Sequence, residues 1–261
     1  MEIKNSSVAI TGANRGIGKA FAEVCAQDNA IIHLLIRKED PELNSHLKNL
    51  GAKEVFTHVL DLENRESIAT VGSRLRDLTI DVLFNNAGQL TGGLLEQQKV
   101  SDIYSVMQVN VTGLIHLTKE ILPGMVARKK GKIINNSSVS SIMHFPCATT
   151  YAATKAAVNA FTNSLRSELA GTGVSTLLLI TPGVETRMFN EIPKKYGKNL
   201  DMSLVSKSIT TQKYAKMIRE AVLEDLPVLK PVGMEAVGLM MATMLPNVFN
   251  KFVASKFKRD N

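Results

Sequence analysis

The sequence predicts an α/β protein with a doubly wound parallel sheet, and two features of its patterning predict that fold. Short apolar runs recur along the chain, and stretches with helical spacing of apolar side chains separate them. Continuous apolar runs of this length are typical of strands that helices cover on both faces. We therefore expect about seven strands with helices on both sides of the sheet. The runs read SSVAIT, IIHLLIR, KEVFTHVL, IDVLFNN, GKIINNSS, VSTLLLIT and LPVLK.

Helix candidates alternate with these runs in order along the chain. The first follows the glycine-rich loop after SSVAIT, and the others follow later apolar runs in the same way. The stretch between the second and third runs has no helix prediction. The candidates span residues 16 to 27, 64 to 77, 98 to 127, 150 to 171 and 211 to 224.

The composition indicates that residues 1 to 261 form one folded domain. The chain has 44% hydrophobic and 21% charged residues, and no Pro-, Gly- or Ser-rich linker divides it. The two cysteines, Cys25 and Cys147, lack the spacing of a disulfide framework or a zinc site, which favours a reducing cytoplasm and no metal. The first strand begins within about six residues of the start, too early for a secretory signal.

The chain carries a net charge of +7, but its cations are scattered. Only RKKGK and the terminal KFKR are dense in charge, and no aromatic residues alternate with the cations. We therefore expect no nucleic-acid partner.

The C-terminal extension, residues 231 to 261, departs from the alternating pattern. Its apolar residues follow helical spacing as far as Pro246, which should end or kink the helix. Three interpretations stay open: a core helix over the sheet edge, an apolar wall for a lipophilic substrate, and an amphipathic segment whose cations meet anionic lipid. The apolar stripe comprises Val237, Met240, Met241, Met244 and Leu245, and the cations are Lys251, Lys256, Lys258 and Arg259.

The loop TGANRGIG, residues 11 to 18, has glycines where a phosphate-binding turn needs them. Gly12 lets the chain reverse sharply, and Gly16 and Gly18 lack the Cβ atoms that would block a pyrophosphate or a neighbouring strand. The helix that follows presents free N–H groups and its positive dipole end to an anion. The same three glycines are also compatible with a purely structural turn.

Two further strand ends favour a nucleotide. Asp61 follows the third run, where its carboxylate could accept hydrogen bonds from an adenine amine. The turn NNAG, residues 85 to 88, ends the fourth run with small residues that let a ribose lie against the backbone. Each signal is weak alone, because an aspartate at a strand end commonly caps a helix.

The most specific signal is SVSSIMHFPCATTYAATK, residues 138 to 155. It places Ser138 at a strand end and Tyr151 and Lys155 four residues apart on one helix face. TGANRGIG, NNAG, QVNVTG around Asn110 and the later PG accompany it in order. Over residues 6 to 190 this set resembles the short-chain dehydrogenase/reductase family.

The resemblance implies a Rossmann-type sheet, a nicotinamide cofactor and oxidoreductase activity. One departure is visible, because only Val184 and Glu185 separate the PG from Thr186 where the family commonly has three residues. The role of Thr186 therefore stays open. The implied cofactor-binding residues are Gly12, Asn14, Arg15, Gly16, Ile17, Gly18, Asp61, Leu62, Asn86, Ala87, Gly88, Tyr151, Lys155, Pro182, Gly183, Val184 and Thr186.

Charge at the end of the second run predicts NADP(H). An NAD-preferring site needs an acid there for the ribose hydroxyls, whereas an NADP site needs cations. Ile36 takes the acid's position, Arg37 and Lys38 follow it, and Arg15 of the glycine loop can approach the same phosphate. The pair after Ile36 is also compatible with an ordinary solvated strand end.

The resemblance implies that Tyr151 exchanges a proton with the substrate oxygen, Ser138 polarises that oxygen and Asn110 anchors a water chain. An ammonium about 4 Å away contributes roughly 4 kcal/mol at an effective dielectric of 20. We therefore expect the Lys155 charge to lower the Tyr151 pKa by about two to three before desolvation opposes it. Ser137 stays an alternative to Ser138 if the strand register slips, and His144 receives no role.

Loops at the carboxyl ends of the strands should enclose the substrate. Their largely apolar side chains favour a lipid-, retinoid- or steroid-like carbonyl compound or alcohol, and residues 187 to 205 are expected to form a mobile lid. The loops span residues 89 to 95, 142 to 147 and 184 to 204, with apolar walls from Met143, Phe145, Met188, Phe189, Ile192 and Tyr196.

Three alternatives to this function stay open: an NAD-dependent alcohol dehydrogenase, a catalytically silent dinucleotide sensor or scaffold, and a peripheral membrane module. A peripheral membrane module could also be a catalyst, so this alternative does not exclude the first function. The resemblance also implies a homodimer or homotetramer that associates through the helices at 98 to 127 and 150 to 171.

Overall fold

A computed structural model describes residues 2–204 and 208–259. Seven strands form one sheet in the order β3-β2-β1-β4-β5-β6-β7, and every neighbouring pair is parallel. The predicted doubly wound parallel sheet is confirmed. The strands are β1 (Ser7–Thr11), β2 (Ile31–Ile36), β3 (Glu54–Val59), β4 (Val82–Asn85), β5 (Gly131–Asn136), β6 (Val174–Leu179) and β7 (Val228–Leu229).

Helices cover both faces of the sheet, and each face has its own hydrophobic core. The helices α1, α2 and α8 enclose one core, and α3, α5 and α6 enclose the other. The α-helices are α1 (Gly16–Gln27), α2 (Pro41–Asn49), α3 (Arg65–Arg76), α4 (Val100–Met107), α5 (Gly113–Ala127), α6 (Thr149–Glu168), α7 (Arg187–Tyr196), α8 (Thr211–Leu223), α9 (Met234–Met244) and α10 (Pro246–Ser255).

Helix α2 lies where the sequence analysis predicted none. The Asp40 side chain caps it by accepting a hydrogen bond from Leu43 N at 3.0 Å, and Pro41 takes the first helical position. Leu43 and Leu47 are its only buried residues. Because they are a single i, i+4 pair, its apolar periodicity is too short to recognise, although its N-terminal signals are present.

The helix predicted at 98 to 127 is interrupted. The structure divides it into α4, a π-helical turn over Gln108–Thr112, and α5, which contains Pro123. A π-turn inserts one residue per turn and therefore turns the following side chains toward a new direction. Asn110 lies in this turn.

The C-terminal helices place the predicted apolar stripe mainly toward solvent. Pro246 begins α10 and separates it from α9, as its position predicts. Leu239, which is not part of the stripe, anchors α9 in the core, whereas Met240 and Met244 are 58% and 72% exposed. Of the three interpretations, the first holds for Leu239 and not for the exposed side chains of the stripe. No helix in the described part of the chain has the length and hydropathy to span a membrane.

Candidate active site at the carboxyl edge of the sheet

A chain of buried and partly buried hydrogen bonds joins the carboxyl ends of four strands. Thr11, the last residue of β1, accepts a hydrogen bond on Oγ1 from the backbone N of Asn86, beyond β4, at 2.9 Å. Asn136, at the end of β5, donates to Asn86 Oδ1 at 3.2 Å and accepts one from Thr181, beyond β6. Thr181 also shares a 2.9 Å hydrogen bond with the Tyr214 hydroxyl of α8. These bonds fix the edge on which the loops converge.

Ser138, Tyr151 and Lys155 come together at this edge. Ser138 follows β5, and its side chain lies close enough to Tyr151 of α6 to act on the Tyr151 pKa as a hydrogen-bond donor. Lys155 Nζ donates to Asn136 O at 2.7 Å and lies 5.7 Å from the centroid of the Tyr151 ring. The two residues lie one helical turn apart, so both face the end of β5.

Two neighbouring hydroxyls, those of Ser137 and Ser141, have structural partners. Ser137 is 2% exposed and donates to Lys155 O at 2.9 Å, so its hydroxyl points into the α6 backbone. Ser141 donates to Ser138 O at 2.5 Å. The geometry therefore favours Ser138 over Ser137 as the hydroxyl beside Tyr151.

The expected lowering of the Tyr151 pKa is wrong for this structure. Burial raises the pKa of Tyr151 to about 12, although the hydrogen bond from Ser138 acts in the opposite direction. Burial also lowers the pKa of Lys155 to about 8. The physical reason is that Lys155 Nζ lies over the ring and bonds to Asn136 O, so desolvation of the phenolate exceeds its attraction to the ammonium.

Asn110 is buried beside this group. Its Nδ2 atom donates to Gln89 O at 3.0 Å and Thr154 Oγ1 at 3.1 Å, and its Oδ1 accepts from Gln89 N at 2.8 Å. A Cβ atom at Gly88 would lie 3.2 Å from Asn110 Oδ1 and 3.8 Å from Lys155 Nζ. Gly88 thus lets the turn after β4 pass close to both side chains.

The glycine loop fits a dinucleotide. Gly12 and Gly16 have φ angles of 66° and 56°, and a Cβ atom at Gly18 would lie 2.5 Å from Gly12 O. Helix α1 begins at Gly16, and the N-cap residue Arg15 forms no side-chain cap. The loop therefore approaches β1 closely, and no capping side chain competes for the first N–H groups of α1, which suits a phosphate.

Three cations lie in the glycine loop and after β2. Arg15, Arg37 and Lys38 are exposed, and none forms an ion pair with an acidic residue in the part of the chain that the structure describes. Ile36, the last residue of β2, is buried and offers no carboxylate. This arrangement suits an additional phosphate.

The remaining predicted nucleotide contacts lie nearby. Asp61 accepts a 3.0 Å hydrogen bond from Glu63 N, and the cap of α3 is Asn64, so Asp61 is not the helix cap of that helix. Asn86 donates to Thr11 O at 3.0 Å, and so its amide holds the loop. Of the rest, Asn14 is exposed, whereas Ile17, Leu62 and Ala87 are buried or partly buried.

Thr186 lies beside the glycine loop despite the shortened spacing before it. Its methyl group would be 3.2 Å from a Cβ atom at Gly16, and its hydroxyl caps α7 by accepting from Phe189 N at 3.1 Å. Gly183 N donates to Glu235 Oε1 at 2.9 Å. The segment from Pro182 to Thr186 is therefore held between the glycine loop and α9.

The loops predicted to enclose a substrate converge on one apolar cluster. Tyr196, the last residue of α7, donates from its hydroxyl to Thr91 O at 2.9 Å, and its ring fills the space above Gly92. The cluster therefore joins loops that are far apart in sequence. It contains Leu94, Cys147, Ala148, Tyr196 and Leu200, with Leu90, Phe145, Ile192, Met202, Leu204 and Phe257 packed against it.

Sequence reasoning missed the polar residues that hold this edge together. Asn136 ends a strand that is buried throughout, which is a signal that could have been used, because a buried asparagine needs partners. Glu235 gave no such signal, since its partner Gly183 is distant in sequence.

Comparisons with known proteins agree with this geometry. The family model for short chain dehydrogenase matches residues 6–197. A 3-oxoacyl-(acyl-carrier-protein) reductase FabG from Thermotoga maritima is 35% identical over 199 residues, which cover 75% of this chain and 80% of that protein.

Solved structures have the same architecture. A closed form of serine dehydrogenase complexed with NADP+ is 28% identical, has a TM-score of 0.71, and covers 83% of this chain and 88% of its own. A short-chain dehydrogenase from Sphingobium yanoikuyae in complex with NADPH has a TM-score of 0.77 at 24% identity and 98% coverage of both chains, which supports the fold. The predicted cofactor, NADP(H), is the one these two structures hold. The chain belongs to the short-chain dehydrogenase family of oxidoreductases.

Proposed function

We propose that this protein transfers hydride between NADP(H) and the carbonyl or secondary alcohol group of an apolar molecule. The observation that carries the proposal is the meeting of Ser138, Tyr151 and Lys155 at one sheet edge, next to a glycine loop that fits a dinucleotide. When bound, NADPH supplies the hydride.

Tyr151 is the proton donor in the direction of reduction. With a pKa of about 12 its phenol is protonated at neutral pH, and an alkoxide is basic enough to take that proton. Ser138 donates a hydrogen bond to the same substrate oxygen and stabilises the charge that develops on it. The phenolate that remains lies under the Lys155 ammonium, which is 5.7 Å from the ring centroid.

Lys155 and Asn110 complete the proton path. The Lys155 ammonium is held by Asn136 O at 2.7 Å and has donor capacity left for the nicotinamide ribose. Because the Asn110 carboxamide is occupied by Gln89 and Thr154, a relay water would meet the Asn110 backbone in the π-turn.

Arg15, Arg37 and Lys38 select NADP(H) over NAD(H). They are exposed cations that form no ion pair in the described ranges, and guanidinium groups match phosphate oxygens in geometry. Asp61 and Leu62 would hold the adenine, and the segment with Pro182, Gly183, Val184 and Thr186 would hold the nicotinamide side.

The substrate is apolar because aromatic and aliphatic side chains converge around Tyr196. Residues 187 to 205 serve as its lid, with α7 as the moving element, although residue 205 lies outside the described residues. The half of the lid that precedes Tyr196 is exposed or partly exposed, whereas Tyr196, Asn199 and Leu200 are buried. This supports motion of the N-terminal half about an anchored end.

The protein forms a homodimer or homotetramer through α4, α5 and α6, with the exposed apolar face on α4 and α5. This face carries apolar side chains that solvent would otherwise meet, an arrangement typical of an interface. Light scattering of Tyr104→Glu, which should dissociate the oligomer, tests it. The exposed apolar residues are Val100, Tyr104, Met107 and Ile115.

We place the protein in the cytoplasm, with its C-terminal segment in contact with a membrane surface. Both cysteines are free, as in a reducing compartment, and the C-terminal helices expose apolar side chains next to cations.

A panel of apolar and polar ketones, followed by the absorbance of the reduced cofactor, tests the function. We expect oxidation of NADPH at least about tenfold faster than of NADH, with apolar ketones preferred. Tight NADPH binding without turnover on any ketone or alcohol would contradict the proposal.

A further inference from the structure

Helices α9 and α10 each carry exposed apolar side chains on one side, and we call these residues together the C-terminal apolar row. Within each helix the members recur every three or four residues, so they share a face of that helix. Exposed apolar surface of this kind marks a contact with something outside the chain. The row consists of Met234, Val237, Met240, Met244, Val248 and Phe252, which are between 46% and 81% exposed.

Charge around the row selects its partner. From residue 236 to 259 the chain has four cations and no Asp or Glu. Lys256 pairs with Asp201 at 3.2 Å and Arg259 pairs with Glu96. Lys251 and Lys258 are exposed, and neither forms an ion pair with an acidic residue in the described ranges.

A second copy of this chain fits the row poorly. A two-fold interface would bring the same positively charged surface of both copies together, with no acidic residue between 236 and 259 to offset it. An anionic lipid surface has the opposite charge and can bind both the apolar row and the lysines. The apolar side chains enter the acyl boundary, and the ammonium groups remain among the head groups.

We propose that α9 and α10 dock on an anionic bilayer surface through the C-terminal apolar row, with Lys251 and Lys258 on the phosphates. The inference rests on the proposed membrane contact and names its residues and lipid chemistry. It does not require a particular substrate.

The docking face is joined to the substrate loops. Phe249 of α10 packs edge to face on Phe145 with ring centroids 6.2 Å apart. The tail after α10 pairs with the segment after α7, because Lys258 N donates to Asn199 O at 2.8 Å and Leu200 faces Phe257 in an antiparallel bridge. Docking therefore sets the substrate loops beside the lipid surface, from which an apolar substrate can enter.

Vesicle sedimentation of the full chain tests the docking. The probes are phosphatidylcholine vesicles with and without phosphatidylglycerol, at low and high salt. We expect binding to the anionic vesicles and weaker binding to the neutral ones or at high salt. Val248→Glu should reduce the bound fraction about tenfold. Val59→Glu is the matched control, because Val59 on the edge strand β3 is 53% exposed, as is Val248, and it should bind as wild type does.

Lys251→Gln with Lys258→Gln gives a second variant that leaves the apolar row intact. It should lose the preference for anionic vesicles while its melting temperature stays unchanged. Wild type that stays in the supernatant, equal binding by Val248→Glu, or a Val248→Glu change confined to the oligomeric state would overturn the proposal. NADPH oxidation with a water-soluble ketone, measured without vesicles, should be the same in all variants, so loss of docking is distinguishable from loss of the proposed function.

Discussion

The carboxyl edge of the sheet and the C-terminal helices depart from the usual distribution of side chains in opposite ways. At the sheet edge, polar groups such as Asn110, Asn136 and Lys155 are buried. On α9 and α10, large apolar groups such as Met240 and Met244 are exposed. The two regions meet at Glu235, whose carboxylate accepts from Gly183 N.

This difference indicates that the sheet edge carries the chemistry and that α9 and α10 make an external contact. A buried polar group costs free energy unless it has partners, and those at the sheet edge are held by neighbouring strands in fixed positions. An exposed apolar row adds nothing to the core and is useful only against another apolar surface. We therefore expect substitutions in the first region to change turnover and substitutions in the second to change binding to a surface.

The largest expected effect comes from Tyr151→Phe. Removal of the proton donor should lower the turnover number about a thousandfold, with the NADPH dissociation constant within a few fold of wild type. Tyr104→Phe is the control, because Tyr104 is 75% exposed on α4 and should keep full activity. Steady-state kinetics and fluorescence titration with NADPH measure both quantities, and near wild-type turnover in Tyr151→Phe would remove its assignment.

Ser138→Ala should have the next largest effect. Loss of one hydrogen bond to the developing oxyanion should lower kcat about a hundredfold. Ser140→Ala, two residues along, is the control. If Ser137→Ala rather than Ser138→Ala removed activity while both variants kept their melting temperature, the geometric choice between these hydroxyls would be wrong.

Arg37→Ala should affect the cofactor alone. Loss of one charge-assisted contact should raise the KM for NADPH about tenfold and leave the KM for NADH unchanged. Lys48→Ala, which removes another exposed cation, should change neither. Equal losses with both cofactors would show that Arg37 does not contact the additional phosphate.

The smallest expected effects compare the buried and the exposed side of α9. Leu239→Ala should lower the free energy of unfolding by about 2–3 kcal/mol, because Leu239 is only 7% exposed in the core. Met240→Ala, one residue along, should cost about 0.5 kcal/mol or less, since its side chain is 58% exposed. Denaturant titration measures both, and equal losses would show that the outer face of α9 is covered in solution.

Much of the fold followed from the sequence because buried parallel strands are continuous apolar runs that need no tertiary information to recognise. The same holds for the glycine loop, whose φ angles of 66° and 56° require glycine-like freedom. Helix α2 was missed because only Leu43 and Leu47 mark its buried face.

The properties that could not be predicted from the sequence depend on the direction in which side chains point. The spacing of Tyr151 and Lys155 predicted their proximity, yet not that the ammonium would lie over the ring and bond to Asn136 O. The helical spacing of the apolar residues on α9 can be recognised in the sequence. Whether they face the core or solvent depends on how Leu239 and Glu235 attach α9 to the rest of the fold. Periodicity identifies a face and leaves its partner undetermined.

The most direct test of the central claim is the pH dependence of a single turnover with bound NADPH, in wild type and Tyr151→Phe. Burial lowers the Lys155 pKa to about 8, so the ammonium loses its proton as the pH rises through that value. We predict that the wild-type rate of ketone reduction is level below about pH 8 and falls above it, because a neutral Lys155 no longer stabilises the Tyr151 phenolate. The residual rate of Tyr151→Phe should be slow and independent of pH over this range. Equal rates and equal pH profiles in the two proteins would contradict the account.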